Sequence, residues 1–188
     1  MTDPVIEAVS ALAALDGDVP RADGLVDHVR GALDAPVTLI EYGDFECPYC
    51  AAAKPVLDEV VAGSDGGVRL IFRNFPLFEL HPYALTAALA AEAAAAQGAF
   101  WRMHDILFAH QTRLSDWDLA KYATKLGLDG ATVIGDLAQP YGDKVEADFA
   151  LAVGSGVQGT PTVFINDRLY EGRFDVAGLR RAVAQAGG

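Results

Sequence analysis

Cys47 and Cys50 are the only cysteines of the chain, and two residues separate them in the run Phe45-Glu46-Cys47-Pro48-Tyr49-Cys50. A pair at that spacing has two chemistries open to it. It can supply half of a zinc site, or it can cycle between dithiol and disulfide. Zinc would need two further ligands from His28, His81, His104 and His110, and none of these stands at a metal-ligand spacing. Redox exchange needs only the pair and a local field that favours an anion. The flanking pattern offers that field. Residues 37–42 (VTLIEY) read as a buried parallel strand, and helix formers follow Cys50, so Cys47 falls at a helix start. Unpaired backbone N–H groups there favour a thiolate, the nucleophile of disulfide exchange. Cys50, one turn further in, is placed to resolve a mixed disulfide. Pro48 presets the first turn and needs no N–H partner.

Three carboxylates modify this reading. Glu41 interrupts the apolar strand run. Burial without a partner raises a carboxyl pKa, and an acceptor near Cys50 would help the resolving thiol lose its proton. Glu41 is therefore the expected proton acceptor. Asp44 and Glu46 act in the other direction, because two negative charges beside Cys47 disfavour its thiolate. The interior dipeptide Pro48-Tyr49 supplies no cation. A restrained thiolate and a mild oxidant are expected on that charge count.

The elements that must hold these residues follow from periodicity and punctuation. At 188 residues and 52% hydrophobic content the chain can bury one core. Residues 4–15 suggest a short helix with Asp3 as its cap, and 16–36 a connection with one short edge strand near 25–29. Strand 37–42, a helix ending at Gly63 and strand 68–75 make a right-handed βαβ unit. Helices are expected over 83–97, around the apolar face of Phe100, Trp101, His104, Leu107 and Phe108, from the Ser115 cap to Leu126, over 129–138 and over 141–153. Strands at 162–166 and 168–171 and a helix over 175–186 close the chain. The division is an N-terminal extension over 1–25 and a domain over 26–188, with a helical insertion about 80–155.

Charge and hydropathy exclude several classes. With 14 basic against 26 acidic residues the formal charge is −12, which disfavours nucleic acid and anionic membranes as partners. The most apolar stretch, 84–96, is too short and is broken by Glu92, so no membrane insertion is expected. The N-terminus lacks the basic start and cleavage site of a secretory signal. Read as a full gene product, the chain is expected to be cytoplasmic.

CPYC followed by Pro55 resembles the thioredoxin-fold signature, and Gly159-Thr160-Pro161-Thr162 before a predicted strand resembles that fold's second landmark. The long, helix-rich gap between Cys47 and Pro161 narrows the resemblance to the DsbA family, a thioredoxin fold with an inserted helical subdomain. The phrases DHVRGALDAPVTLIEYGDFECPYC and GAFWRMHDILFAHQ resemble soluble bacterial members and the thioredoxin-like domain attached to some sodium/proton antiporters. The resemblance covers about residues 26–186. It implies an α/β fold and a thiol–disulfide oxidoreductase with Cys47 as nucleophile and Cys50 as resolving thiol. An acid at the place of Glu41 belongs to the family pattern. Pro161 should be cis, and Thr160 should offer its backbone to a substrate strand, with Pro48 and Tyr49 beside it. Substrates would be protein or peptide thiols and disulfides, or glutathione, with a recycling redox partner. Neither metal nor organic cofactor is implied. His81 resembles a family position, and capping or packing on the helical block is its expected part. His104 is expected in the core. Phe45, Phe75, Phe78 and Tyr49 are candidates for an apolar substrate rim. Two alternatives stand on the same fold. One is a glutathione-dependent isomerase or transferase, whose relatives usually keep a lone serine or cysteine where this chain has CPYC. The other is a redox-inactive chaperone or adaptor.

Overall fold

The computed structural model describes residues 16–187; the helix expected over 4–15 lies outside them. Strands β1 (Asp16–Pro20), β2 (Val26–Gly31) and β3 (Val37–Gly43) lead into helix α1 (Pro48–Ala62) and strand β4 (Val68–Asn74). A helical block follows: α2 (Ala84–Ala95), α3 (Phe100–Ala109), α4 (Asp116–Lys125), a 3-10 turn (Gly130–Val133), the single turn α5 (Gly135–Ala138), a second 3-10 turn (Gln139–Tyr141) and α6 (Gly142–Gly154). Strands β5 (Thr162–Ile165) and β6 (Arg168–Leu169) and helix α7 (Val176–Ala186) complete the chain. The strands form one sheet in the order β1-β2-β4-β3-β5-β6. Only β3 and β4, joined through α1, run parallel. This is a thioredoxin fold of the α/β class with helices inserted between β4 and β5.

The period of two along β3 decides what the site receives. Leu39 packs into the large core with Leu57 of α1, Phe72 and the aromatic face of α3. Ile40 and Tyr42 face the opposite side, where Phe75, Phe149 and Ala152 form a second core beneath α6. Glu41 therefore shares the side of Leu39, under α1. Gly43 ends the strand in a narrow place, since a Cβ there would run into the Phe72 ring.

Two expectations are corrected. Residues 16–36 hold two strands, with β1 antiparallel to β2 from Asp16↔Arg30 to Pro20↔Val26. The sequence of β1, DGDVP, has poor strand propensity. Its partners compensate: Asp18 binds His28 at 2.7 Å and Asp16 lies 3.6 Å from Arg30. Part of the span assigned to the N-terminal extension is thus sheet. The helix expected over 129–138 breaks at Ile134, whose backbone is extended (φ −133, ψ 161), before Gly135 at φ +54. Asp129 caps only the short turn before the break, accepting from Ala131 N–H.

Candidate active site

The site begins with a turn. Cys47 N–H donates to Asp44 O at 3.1 Å, and Glu46 N–H donates to Asp44 Oδ1 at 2.8 Å. Phe45 pins the turn from below, its ring 5.0 Å from Phe72 and 5.1 Å from Phe108 between centroids. Cys47 is the N-cap of α1 in extended conformation (φ −72, ψ 120), with Pro48 directly after it. Pro55 lies inside the same helix, where it can donate no i→i−4 bond.

Both cysteines are free and buried. Cys47 Sγ donates to Thr160 O at 3.5 Å, across a Thr160–Pro161 peptide that is cis. A hydrogen bond with the Cys50 side chain leads in lowering the Cys47 thiol to about 5. Burial opposes it, and Thr160 and the N–H groups of Cys50 and Tyr49 reinforce it. Cys50 moves the other way. Burial first, then the bond shared with Cys47 and the charge of Glu41, hold it far above the ordinary thiol range. One helical turn separates an activated sulfur from a protonated one.

The restraint expected from Asp44 and Glu46 does not set the Cys47 thiol. The Asp44 carboxylate is occupied by the N–H groups of Glu46 and Leu77 and by His81 Nδ1 at 2.8 Å. Glu46 accepts from Tyr83 N–H at 2.6 Å. The two acids tie the catalytic turn to the loop after β4. That loop brings His81, whose pKa burial depresses, while its hydrogen bond and charge pairing with Asp44 and the charges of Cys47 and Glu46 together raise it. The CPYC interior holds no basic side chain, and the imidazole at the site comes from across the turn, on Asp44.

Glu41 is 2% exposed, and its Oε1 has no hydrogen-bond partner. Burial pushes its carboxyl up to about 8; Asp58 and Cys47 add to the rise and Lys54 opposes it. A network that sequence reasoning missed lies beside it. Lys54 Nζ stands 2.6 Å from Asp58 Oδ2 and 3.0 Å from Asp105 Oδ1. Arg30 pairs with both oxygens of Asp105 at 3.1 and 2.8 Å and with Asp58 at 2.9 Å. The signal was present, since Asp105 and Arg30 each interrupt an apolar pattern. Among the described residues no group of three or more His, Cys, Asp or Glu could hold a metal.

The remaining candidates divide. Thr160 and Pro161 are half-buried opposite Cys47, whereas Pro48 and Tyr49 are exposed. A groove of about 530 Å³ runs from this loop past Gly159, Thr162, Phe164 and Leu169. The apolar rim is smaller than expected: Phe45 and Phe75 are core residues, and only Tyr49 (73% exposed) and Phe78 (56%) reach solvent. His104 is core, with burial lowering it to about 4 against the opposing pull of Asp105.

A thioredoxin sheet with a dithiol at the start of α1 and a cis-proline loop facing it defines a DsbA-like fold of the thiol–disulfide oxidoreductase type. Residues 25–185 match the family described as Thioredoxin, and the chain belongs to that family. Among solved structures it is similar to oxidised BdbD from Bacillus subtilis, with TM-score 0.75 and 26% identity over 93% of this chain and 98% of the other. It is also similar to a thioredoxin-like oxidoreductase from Silicibacter pomeroyi, with TM-score 0.73 and 28% identity over 85% and 91%. The thiol–disulfide exchange protein α-DsbA2 from Wolbachia pipientis gives TM-score 0.73 and 26% identity over 84% and 85%. Among curated sequences, Na(+)/H(+) antiporter NhaA 3 of Salinispora tropica is 48% identical over 161 residues, 85% of this chain and 24% of the antiporter. NhaA 1 of Mycolicibacterium gilvum is 42% identical over 84% of this chain and 26% of the antiporter. The chain spans about a quarter of the length of these curated relatives.

Proposed function

We propose that the chain is a thiol–disulfide oxidoreductase acting on disulfides and thiols of proteins or peptides, or on a small thiol such as glutathione. The free Cys47–Cys50 pair at the start of α1, with Cys47 Sγ 3.5 Å from Thr160 O of the cis-proline loop, carries the reading, and the two thiols are displaced in opposite directions, Cys47 down and Cys50 up. Near neutral pH Cys47 is a thiolate and attacks one sulfur of a substrate disulfide. A mixed disulfide forms and the other substrate sulfur leaves as a thiolate. In the fraction of molecules with Glu41 ionised, Cys50 then gives its proton to Glu41 and attacks Cys47 Sγ. The enzyme disulfide forms, the second substrate sulfur leaves, and the substrate is reduced by the two electrons the dithiol loses. The same steps in reverse oxidise a substrate dithiol.

A carboxyl near 8 suits Glu41 to this role, because an acceptor works best with a pKa close to the working pH. Thr160 and Pro161 form the ledge on which an extended substrate strand would lie, flanked by Pro48 and Tyr49. The exposed rings of Tyr49 and Phe78 suit the apolar side chains of an unfolded substrate. Insulin reduction by dithiothreitol tests the reading. The wild type should accelerate it and Cys47→Ser should not; equal rates reject catalysis by this dithiol.

A further inference from the structure

The helical block reaches the catalytic turn through a side chain with no part in the scheme above. Gln111 stands two residues beyond α3. Its Nε2 donates to Phe45 O at 2.8 Å and to Cys47 O at 2.8 Å. A carboxamide accepts at one end and donates twice at the other, so two facing carbonyls can be served only by the nitrogen. Chemistry therefore fixes the orientation of this group.

Both carbonyls belong to the structure that presents the nucleophile. Cys47 O also receives Ala51 N–H at 3.2 Å, a bond of the first turn of α1 and longer than the one from Gln111. Phe45 O and Cys47 O bracket Glu46, so one nitrogen holding both fixes the passage from β3 into α1. The orientation of the Cys47 carbonyl sets that of the peptides after it, whose N–H groups at Tyr49 and Cys50 face the sulfur. The two carbonyl oxygens are also two partial negative charges at the catalytic turn, and the NH2 group that holds both offsets them.

Gln111 is held in turn by its neighbours. His110 caps α3, donating its N–H to Leu107 O, with its ring Nδ1 3.0 Å from Ile106 O. The same ring packs on Tyr122 of α4 at 5.1 Å between centroids. Tyr122 Oη donates to Arg113 O at 2.9 Å, and Arg113 N–H donates to His110 O at 2.8 Å. The segment carrying Gln111 is thus stitched to two helices.

We propose that Gln111 is a positioning residue through which the helical insertion holds the Cys47 turn in the geometry that favours a sulfur anion. The proposal rests on the dithiol reading above. Two variants of the full chain test it. Gln111→Met keeps length and volume but removes both donors, and Gln111→Ala leaves room for water to replace them. Neither touches Cys50, Glu41, His81 or Thr160, the groups that face Cys47. The reduced proteins are titrated by thiolate absorbance and equilibrated with glutathione buffers. In Gln111→Met the thiolate midpoint should rise by about one pH unit. The equilibrium constant for reduction of the enzyme disulfide should fall about tenfold, ~30 mV toward a more negative potential. Gln111→Ala should shift both in the same direction by less, and it decides the matter if the Met variant does not fold. A midpoint and potential unmoved from wild type, whatever the change in unfolding midpoint, overturn the positioning role. The dithiol reading is judged separately on the wild type: lack of Cys47-dependent turnover there removes that reading, whereas an active wild type with unmoved variants removes only the role of Gln111.

Discussion

At Cys47 and Cys50 one functional group meets two surroundings. Cys47 faces donors at a helix start, and Cys50 is buried against a sulfur and a carboxylate. Titration of the reduced protein by thiolate absorbance should give a single midpoint near 5, lost in Cys47→Ser. A midpoint close to an ordinary thiol would refute the opposed environments. Glu41 makes a second prediction whose sign follows from burial. Its carboxyl rises from 4.5 to about 8, so it folds more favourably protonated, and stability is progressively lost between those two pH values. Glu41→Gln should therefore stabilise the chain by about 2–4 kcal/mol at pH 9 and change little at pH 4. The same variant should slow release of a mixed disulfide trapped on Cys47, by roughly tenfold or more at neutral pH. Thermal melts across pH and single-turnover release measure the two effects. These residues were legible in the sequence because each breaks a pattern: two cysteines at one spacing and an acid in an apolar strand. The influence of Asp44 and Glu46 was not legible. Its sign depends on where the carboxylates point, and they point at His81 and at backbone N–H groups contributed from beyond β4.

At the scale of elements, β3, α1 and β4 form where periodicity places them, because a doubly buried strand and a capped helix carry local signals. β1 does not, since DGDVP pairs through the charges of β2 that it meets rather than through its own propensity. The break at Ile134 was likewise hidden, because a helix-like pattern cannot report which of Gly130 and Gly135 takes positive φ. The ionic network under α1 joins elements distant in sequence: Arg30 from β2, Lys54 and Asp58 from α1, and Asp105 from α3. Burial opposes ionisation of Asp105. Its hydrogen bonds and charge pairing with His104 and Arg30 outweigh that and hold the carboxyl well below the usual range. Asp105→Ala should cost about 3–5 kcal/mol, because Arg30 would stay buried with its bidentate partner gone. Urea unfolding at pH 7 measures the loss, and a cost below about 1 kcal/mol would show that the network contributes little.

Across the whole molecule, many positive charges are turned inward. Arg21, Arg30, Arg73 and Lys144 are nearly covered, and each is paired with a carboxylate that is buried with it. The innermost of these contacts fastens the first hairpin to the helical block. His28 of β2 lies against Phe100 at 3.9 Å between centroids and bridges Asp18 of β1 at 2.7 Å and Glu92 of α2 at 2.9 Å. Glu92 also accepts from Asn74 of β4, and Lys144 of α6 lies 3.9 Å from it. Burial and the charge of Lys144 lower the histidine pKa, but the bonds to Asp18 and Glu92 prevail and raise it to about 9. The stabilisation is fully present below 6.5 and is lost as pH rises through about 9. His28→Gln, which fills the space without the charge, should lower stability by about 3 kcal/mol at pH 6 and by much less at pH 10. That corresponds to a fall in Tm of roughly 10 °C at the lower pH. Glu41 lies in the other half of the same sheet and destabilises the chain over the alkaline side of neutrality. Measured against a Glu41→Gln/His28→Gln double variant, which keeps the opposing contribution of Cys47, the wild type should therefore lose stability progressively up to about pH 9. A double variant that keeps the wild-type slope would place the alkaline sensitivity elsewhere in the molecule.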